Sequence, residues 1–143
     1  MHVFATLMLL ITVPRHVVRD VFRRNFPLVR NGTIEHVVPQ SLDPSLKRNV
    51  HNLLWLPRHL NCARGNKRLC VKTTRSTWEP PDVYKGLYAR SILYTGEFQK
   101  TLDEELAWMW HTTFPPTPAE QRASLTLGLL QGDINHNFFD NLR

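Results

Sequence analysis

The sequence contains little of what marks several large classes of protein. Only two of its 143 residues are cysteines, Cys62 and Cys70, which excludes a disulfide framework. Their spacing is not completed by a second Cys or His pair, so no zinc motif is present. One disulfide in an oxidising compartment and two free thiols in a reducing one both remain open. The chain has no internal repeat and no low-complexity segment.

Long hydrophobic runs are also missing. The apolar segment 2–13 has twelve residues, whereas a membrane-spanning helix needs about 20. No Lys or Arg precedes this segment and no small-x-small cleavage site follows it. We therefore expect a buried N-terminal helix or strand and no membrane partner, with a signal segment or membrane anchor at residues 1–13 as the alternative.

Acidic residues are in the minority, with 12 Asp and Glu against 18 Lys and Arg, a net charge of +6 and a pI near 9.8. Between residues 58 and 75 the sequence has no acid. Such a basic patch attracts polyanions and suits phosphate contacts, so we expect it to bind nucleic acid. A solvated basic face is the alternative. The patch consists of Arg58, Arg64, Lys67, Arg68, Lys72 and Arg75.

The length of the chain fits a single domain, 1–143. Its first part, 1–30, combines the apolar segment with a helix that begins near Pro14. In that segment the apolar residues recur with the period of a helix on one side, and the arginines lie on the other side. The apolar residues are Val17, Val18, Val21 and Phe22, and the arginines are Arg15, Arg19, Arg23 and Arg24.

Helices also fill the C-terminal part, 82–130. The predicted helices cover 82–94, where Asp82 is the cap, then 102–111 and 118–130, each with a capping box. The boxes are Thr101 with Glu104 and Thr117 with Glu120. The inner face of the middle helix is predicted to contain Leu102, Leu106 and Met109 or Trp110. The tail, 131–143, should lie against the domain or fray.

A strand, a loop, a second strand and a helix are predicted within 33–70. The first strand is a β-branched run that ends in Glu35 and His36 and is stopped by Pro39. The second covers 51–56, and a helix follows Pro57, which suits a helix start because its ring fixes φ. This ββα arrangement brings together four polar residues: Glu35, His36, Asn52 and Asn61.

These residue types suit phosphodiester hydrolysis, which needs an activated water, a cation and fixed geometry. His36 is the natural general base, because an imidazole is mostly neutral at physiological pH. Glu35 and Asn61 supply the oxygen ligands that Mg²⁺ prefers. Asn52 is expected to hold the loop between the strands. Because neighbouring strand residues point to opposite faces, Glu35 and His36 share a site only if the strand ends or twists there.

Three motifs resemble those of the endonuclease I family of non-specific nucleases, which belongs to the ββα-metal (His-Me finger) group together with the HNH nucleases. They are Glu-His-Val-Val-Pro at 35–39, His-Asn-Leu at 51–53 and Asn-x-x-Arg-x-Asn at 61–66. Lys-Gly-Leu-Tyr-Ala-Arg-Ser at 85–91 is similar to the family's basic-Gly-x-x-Ala-Arg helix. The resemblance covers about residues 30–140.

The resemblance implies an α+β fold with a ββα-metal core surrounded by helices. It also implies a Mg²⁺-dependent endonuclease, with Mn²⁺ or Ca²⁺ as alternative cations, that cleaves DNA with little sequence specificity and leaves 5′-phosphate ends. His36 would be the base and Glu35 and Asn61 the metal ligands, with Asn66 as the alternative ligand. His51 and Asn52 would support the site. Arg90 would contact phosphate, and Arg48 would replace an arginine from the family's longer loop.

Other interpretations stay open at this point. The chain is also compatible with a catalytically inactive nucleic-acid-binding module on the same scaffold. A sequence-specific HNH-type nuclease is disfavoured, because no dedicated recognition domain is visible. RNA is an open second substrate, and a monomer is favoured. Most cysteines of the family are absent, which favours an intracellular protein, whereas a signal segment at residues 1–13 would indicate secretion.

Overall fold

A computed structural model of the chain describes residues 10–139, so most of the apolar segment 2–13 lies outside the described residues. The fold is mixed α+β, as predicted. The described helices are α1 (Arg15–Asn25), α2 (Arg58–Arg64), α3 (Asp82–Thr95), α4 (Glu104–Thr113) and α5 (Pro118–Gln131). The described strands are β1 (Gly32–His36), β2 (Leu53–Pro57), β3 (Arg68–Leu69) and β4 (Thr77–Trp78). None of these helices is long and apolar enough to cross a membrane.

Strands β1 and β2 pair antiparallel, with Glu35 opposite Leu54 and His36 opposite Leu53. A turn precedes β1, and Asn31 adopts a φ of 51° there. At Gly32 a Cβ atom would lie 2.1 Å from the Trp55 indole, so only glycine permits this close approach. Helix α2 begins directly after β2, which completes a strand–loop–strand–helix order. The small strands β3 and β4 pair parallel in a separate sheet.

The second strand begins two residues later than predicted. Residues Val50–Asn52 form a 3₁₀ turn, because the Asn49 side chain accepts a hydrogen bond from the His51 N–H. The strand prediction for 51–56 was therefore wrong at its start. This turn buries His51 and Asn52 instead of alternating them across a sheet.

Both faces of β2 are buried, and they contribute to two different hydrophobic clusters. Leu54 and Leu56 pack with α3 and α4, in a cluster that also contains Tyr88, Ile92 and Trp110. The intervening Leu53 and Trp55 pack with α1 and α5, in a cluster that contains Val18, Phe22 and Leu127. Because successive strand side chains point to opposite faces, β2 lies between the two halves of the core. Its neighbour β1 is thereby fixed in place.

The helix predictions were confirmed at most ends, but two predicted caps were wrong. Asp82 is the first residue of α3 and not its cap, because Pro81 precedes the helix and no side chain caps it. Helix α5 has the predicted capping box between Thr117 and Glu120. Helix α4 begins at Glu104 with Asp103 as its cap, whereas Thr101 is buried without a hydrogen-bond partner for its hydroxyl. Of the two residues predicted as alternatives for the inner face, Trp110 is buried in the core, whereas Met109 is 52% exposed.

Candidate active site

Three of the residues predicted to form a site, Glu35, His36 and Asn61, line one open cleft of ≈ 380 Å³ beside the end of β1. Glu35 and His36 reach it from β1, and Asn61 reaches it from α2. Strand β1 ends at His36, so both neighbouring side chains line the same cleft despite the alternation expected in a regular strand. The other lining residues are Ile34, Pro39, Gln40, Ser41, Gly65 and Asn66.

The His36 ring is held by a single hydrogen bond from Nε2 to the Lys47 carbonyl oxygen, at 3.0 Å. Because a carbonyl only accepts, Nε2 carries the proton and Nδ1 keeps its lone pair. Nδ1 makes no hydrogen bond to any residue between 10 and 139. Burial lowers the pKa of His36, and the charges of Arg15 and Lys47 lower it further, against the opposing effect of the carbonyl. The lowered pKa favours the neutral imidazole, in which Nδ1 keeps its lone pair.

Glu35 lies in the wall of the cleft, and the residue is only 4% exposed. Its Oε2 accepts hydrogen bonds from the Tyr88 hydroxyl at 2.7 Å and from Arg64 Nη1 at 3.2 Å. Burial raises the pKa of Glu35, opposed by the Arg64 charge and by both hydrogen bonds. Arg64 Nη1 also donates to the His36 carbonyl, at 3.2 Å, so one guanidinium fixes both residues at the strand end.

Asn61 presents an oxygen that is not used elsewhere in the described chain. Its Nδ2 donates to Thr33 Oγ1 at 3.0 Å and to the Ile34 carbonyl at 3.2 Å. This fixes the amide and leaves Oδ1 without a hydrogen-bond partner among residues 10–139. Asn66, the alternative ligand, is exposed and lines the same cleft.

The donors in this cleft fit a hard divalent cation. Within residues 10–139 no three His, Cys, Asp or Glu side chains form a group that would hold a metal. A cation here would depend on the Glu35 carboxylate and the Asn61 amide oxygen, with water or phosphate oxygens as further ligands. Mg²⁺ accepts this arrangement, because it keeps several waters and needs few protein ligands.

Asn52 is fully buried and does not reach the cleft. Its Oδ1 accepts from the Val38 N–H at 2.8 Å, and its Nδ2 donates to the carbonyls of Val38 at 3.1 Å and Leu46 at 3.3 Å. These bonds join the segment after His36 to the segment that precedes Lys47. Asn52 thus holds the loop between β1 and β2, as predicted from the sequence.

The prediction that Arg90 contacts phosphate is wrong. Arg90 is 1% exposed and lies over the Phe138 ring, 5.2 Å from its centroid. It donates to the Phe114 carbonyl at 3.0 Å and pairs with Glu120 at 3.5 Å. Its guanidinium links α3 to the start of α5, and burial prevents contact with a polymer substrate.

Arg64 is also misassigned as a surface contact. It is 1% exposed and forms the ion pair with Glu35, so it cannot belong to a basic surface. The other predicted nucleic-acid contacts remain accessible. Arg48 and Arg58 are exposed, and Lys67 and Arg68 are half-buried, with Arg68 donating to the Gln99 carbonyl.

Three residues beside this site were not predicted. Tyr88 comes from α3, 53 positions after Glu35, and no local pattern connects the two. Arg15 and Lys47 lie near the His36 ring, one from α1 and one from the loop before β2. The sequence feature that could have drawn attention to Arg15 is its position in the first turn of the predicted helix.

When the sequence is compared with protein-family models and with curated proteins, neither comparison gives a match.

Proposed function

We propose that this protein is a metal-dependent endonuclease that hydrolyses phosphodiester bonds of DNA, built on a ββα-metal core of the endonuclease I type. The observation that carries the proposal is the convergence of three side chains on one cleft. His36, whose Nδ1 has no hydrogen-bond partner among residues 10–139, lines this cleft together with Glu35 and Asn61, whose oxygens suit a divalent cation. The substrate class follows from the net charge of +6 and the exposed basic residues near the cleft.

His36 is proposed to act as the general base. The Lys47 carbonyl fixes the ring and its tautomer through Nε2, so Nδ1 accepts the proton of the attacking water. The lowered pKa of His36 keeps Nδ1 unprotonated at neutral pH. Asn52 maintains this geometry, because its three hydrogen bonds fix the backbone on both sides of the His36–Lys47 contact.

Glu35 and Asn61 are proposed to hold Mg²⁺, with Mn²⁺ or Ca²⁺ as alternatives. A bound cation of this kind stabilises negative charge on the phosphate and on the departing oxygen. Arg64 and Tyr88 fix the Glu35 carboxylate, and Thr33 with the Ile34 carbonyl fixes the Asn61 amide. Both ligands are therefore oriented before a cation binds, which reduces the entropy cost of binding.

A second candidate function is a nucleic-acid-binding module without catalytic activity. The ion pair between Glu35 and Arg64 favours this module, because the guanidinium compensates the negative charge of Glu35 that would otherwise attract a metal cation. Incubation of purified protein with supercoiled plasmid separates the two functions. We expect nicking in MgCl₂ that EDTA abolishes, with 5′-phosphate ends. Salt-sensitive binding without nicking would support the module, whereas cuts at defined positions would indicate a sequence-specific enzyme.

A labelled RNA incubated under the same conditions tests the open question of RNA as a substrate. Cleavage of both polymers is the expected result if the site recognises mainly the phosphodiester backbone.

A further inference from the structure

A second cleft, of ≈ 200 Å³, adjoins the candidate active site. His36 lines both clefts, so the two share one wall. The second cleft lies between the first turn of α1, the end of β1 and the loop before β2. It contains three exposed cationic side chains, Arg15, Lys47 and Arg48. His36 therefore borders one cleft lined by oxygen donors and a second cleft lined by cationic side chains.

The positive charge continues along α1, away from His36. Arg15, Arg19 and Arg23 recur every four residues and are all exposed. Because four residues advance about 6 Å along a helix, this arginine stripe spans about 12 Å. The opposite face of the helix, with Val18, Val21 and Phe22, is buried in the core. The stripe is thus held on a rigid element, with one end beside the candidate base.

Helix stability accounts for only part of the stripe, because a cation is favourable at Arg23, in the last turn of α1, but not at Arg15. The first turn of α1 contains Arg15 and no acidic residue, and a cation there opposes the helix dipole. Within residues 10–139, neither Arg15 nor Arg19 forms an ion pair, and the same is true of Arg23. Arg23 packs over the Trp55 ring at 5.7 Å, but its charge remains uncompensated. The stripe therefore offers several unpaired cations to a polyanion.

We infer that the arginine stripe of α1 binds consecutive phosphates of one DNA strand and directs that strand into the cleft at His36. The direction into the cleft rests on the proposed nuclease function, whereas the binding itself does not. This track differs from the patch 58–75 expected from the sequence, whose Arg64 is buried. It is formed by a helix outside the ββα segment.

The test is binding of a fluorescently labelled 20-base-pair DNA duplex, measured by anisotropy in EDTA at several NaCl concentrations. The variant R15Q/R19Q/R23Q removes the stripe. The charge-matched variant R30Q/K100Q/R122Q removes three exposed cations outside both α1 and the patch 58–75, and it measures the effect of net charge alone. Each phosphate contact contributes about 0.9 to the magnitude of the slope of log K against log[salt]. We therefore expect this slope to be smaller in magnitude by about 2–3 units in the stripe variant than in the wild type. Its affinity should fall at least tenfold, and the charge-matched variant should lose less than one unit of slope.

A stripe variant with the wild-type slope would overturn the inference, and so would an equal loss of slope in both variants. Arg23 packs on Trp55, so the triple variant could unfold. In that case the double variant R15Q/R19Q is used, and its slope of log K against log[salt] should decrease by about 2. Plasmid nicking by the wild-type protein distinguishes the two proposals. A wild-type protein that binds through the stripe but never nicks DNA refutes the nuclease and leaves the track intact.

Discussion

The Tyr88 hydroxyl donates a 2.7 Å hydrogen bond to the Glu35 carboxylate, which connects the middle of α3 to the end of β1. Tyr88 has no exposed surface, so this bond forms inside the core, behind the cleft. The same carboxylate oxygen also accepts a hydrogen bond from Arg64. The orientation of a candidate metal ligand thus depends on two residues that do not line the cleft.

Replacing Tyr88 with Phe should therefore weaken both the fold and metal binding. Loss of a buried hydrogen bond to a charged group should lower the free energy of unfolding by about 1–3 kcal/mol. Loss of support behind a metal ligand should raise the Mg²⁺ needed for half-maximal nicking about tenfold or more. Urea denaturation and magnesium titrations measure the two effects.

The control is Tyr84→Phe, because the Tyr84 hydroxyl makes no hydrogen bond within the described chain. It should leave both measurements near the wild-type values. An unchanged magnesium requirement in Tyr88→Phe would remove Tyr88 from the support of the site.

His36→Ala should lower plasmid nicking at least about 100-fold, because it removes the proposed general base. DNA binding should remain close to that of the wild type. His59→Ala is the matched control, since His59 is exposed and is not part of this cleft. Near-normal turnover by His36→Ala would exclude His36 from the mechanism.

Asn61→Ala should lower nicking and raise the magnesium requirement, because it removes an amide oxygen that has no hydrogen-bond partner among residues 10–139. Asn66→Ala, with the same chemical change in the same cleft, is the comparison. Isothermal titration with MgCl₂ provides a measurement that does not depend on activity. If only Asn66→Ala weakens binding, the ligand is Asn66 and the assignment of Asn61 is wrong.

The stability contributed by Asp133 should depend on pH. Burial raises the pKa of Asp133, but hydrogen bonds from Tyr94 and Gln131 and the nearby His51 ring outweigh this effect and hold the pKa below its ordinary value. A carboxylate with a lowered pKa stabilises the fold above its unfolded pKa, near 3.9, and this stability is lost as the pH falls through the folded pKa.

Asp133→Asn should accordingly lower Tm by roughly 2–6 °C at pH 7. The difference from the wild type should shrink as the pH falls below about 4. Thermal denaturation followed by circular dichroism across this range is the measurement. A difference that stays constant with pH would mean that the carboxylate charge is not responsible.

Short-range patterns predicted much of the fold. The helical period of α1, the capping box of α5 and the end of β1 each depend on residues within a few positions of one another, so the sequence expresses them directly. The start of α4 was missed because Thr101 and Asp103 are both good caps. Local sequence could not decide between them, and in the structure the Thr101 hydroxyl is buried.

The residues of the candidate site were likewise predictable from the sequence only in part. Residue types and spacing identified Glu35, His36 and Asn61, which do line one cleft. Sequence could not distinguish the arginines, since Arg64 and Arg90 have the same chemistry as Arg15. Their burial is set by where α2 and α3 pack against the rest of the chain.

By itself the sequence determined the ββα order, most of the helices and which polar residues are available for chemistry, because those properties depend on neighbouring residues. Only the tertiary structure decided which charges compensate one another and which remain free. Arg64 pairs with Glu35 and Arg15 stays exposed beside His36, since folding brings together residues that are far apart in the chain.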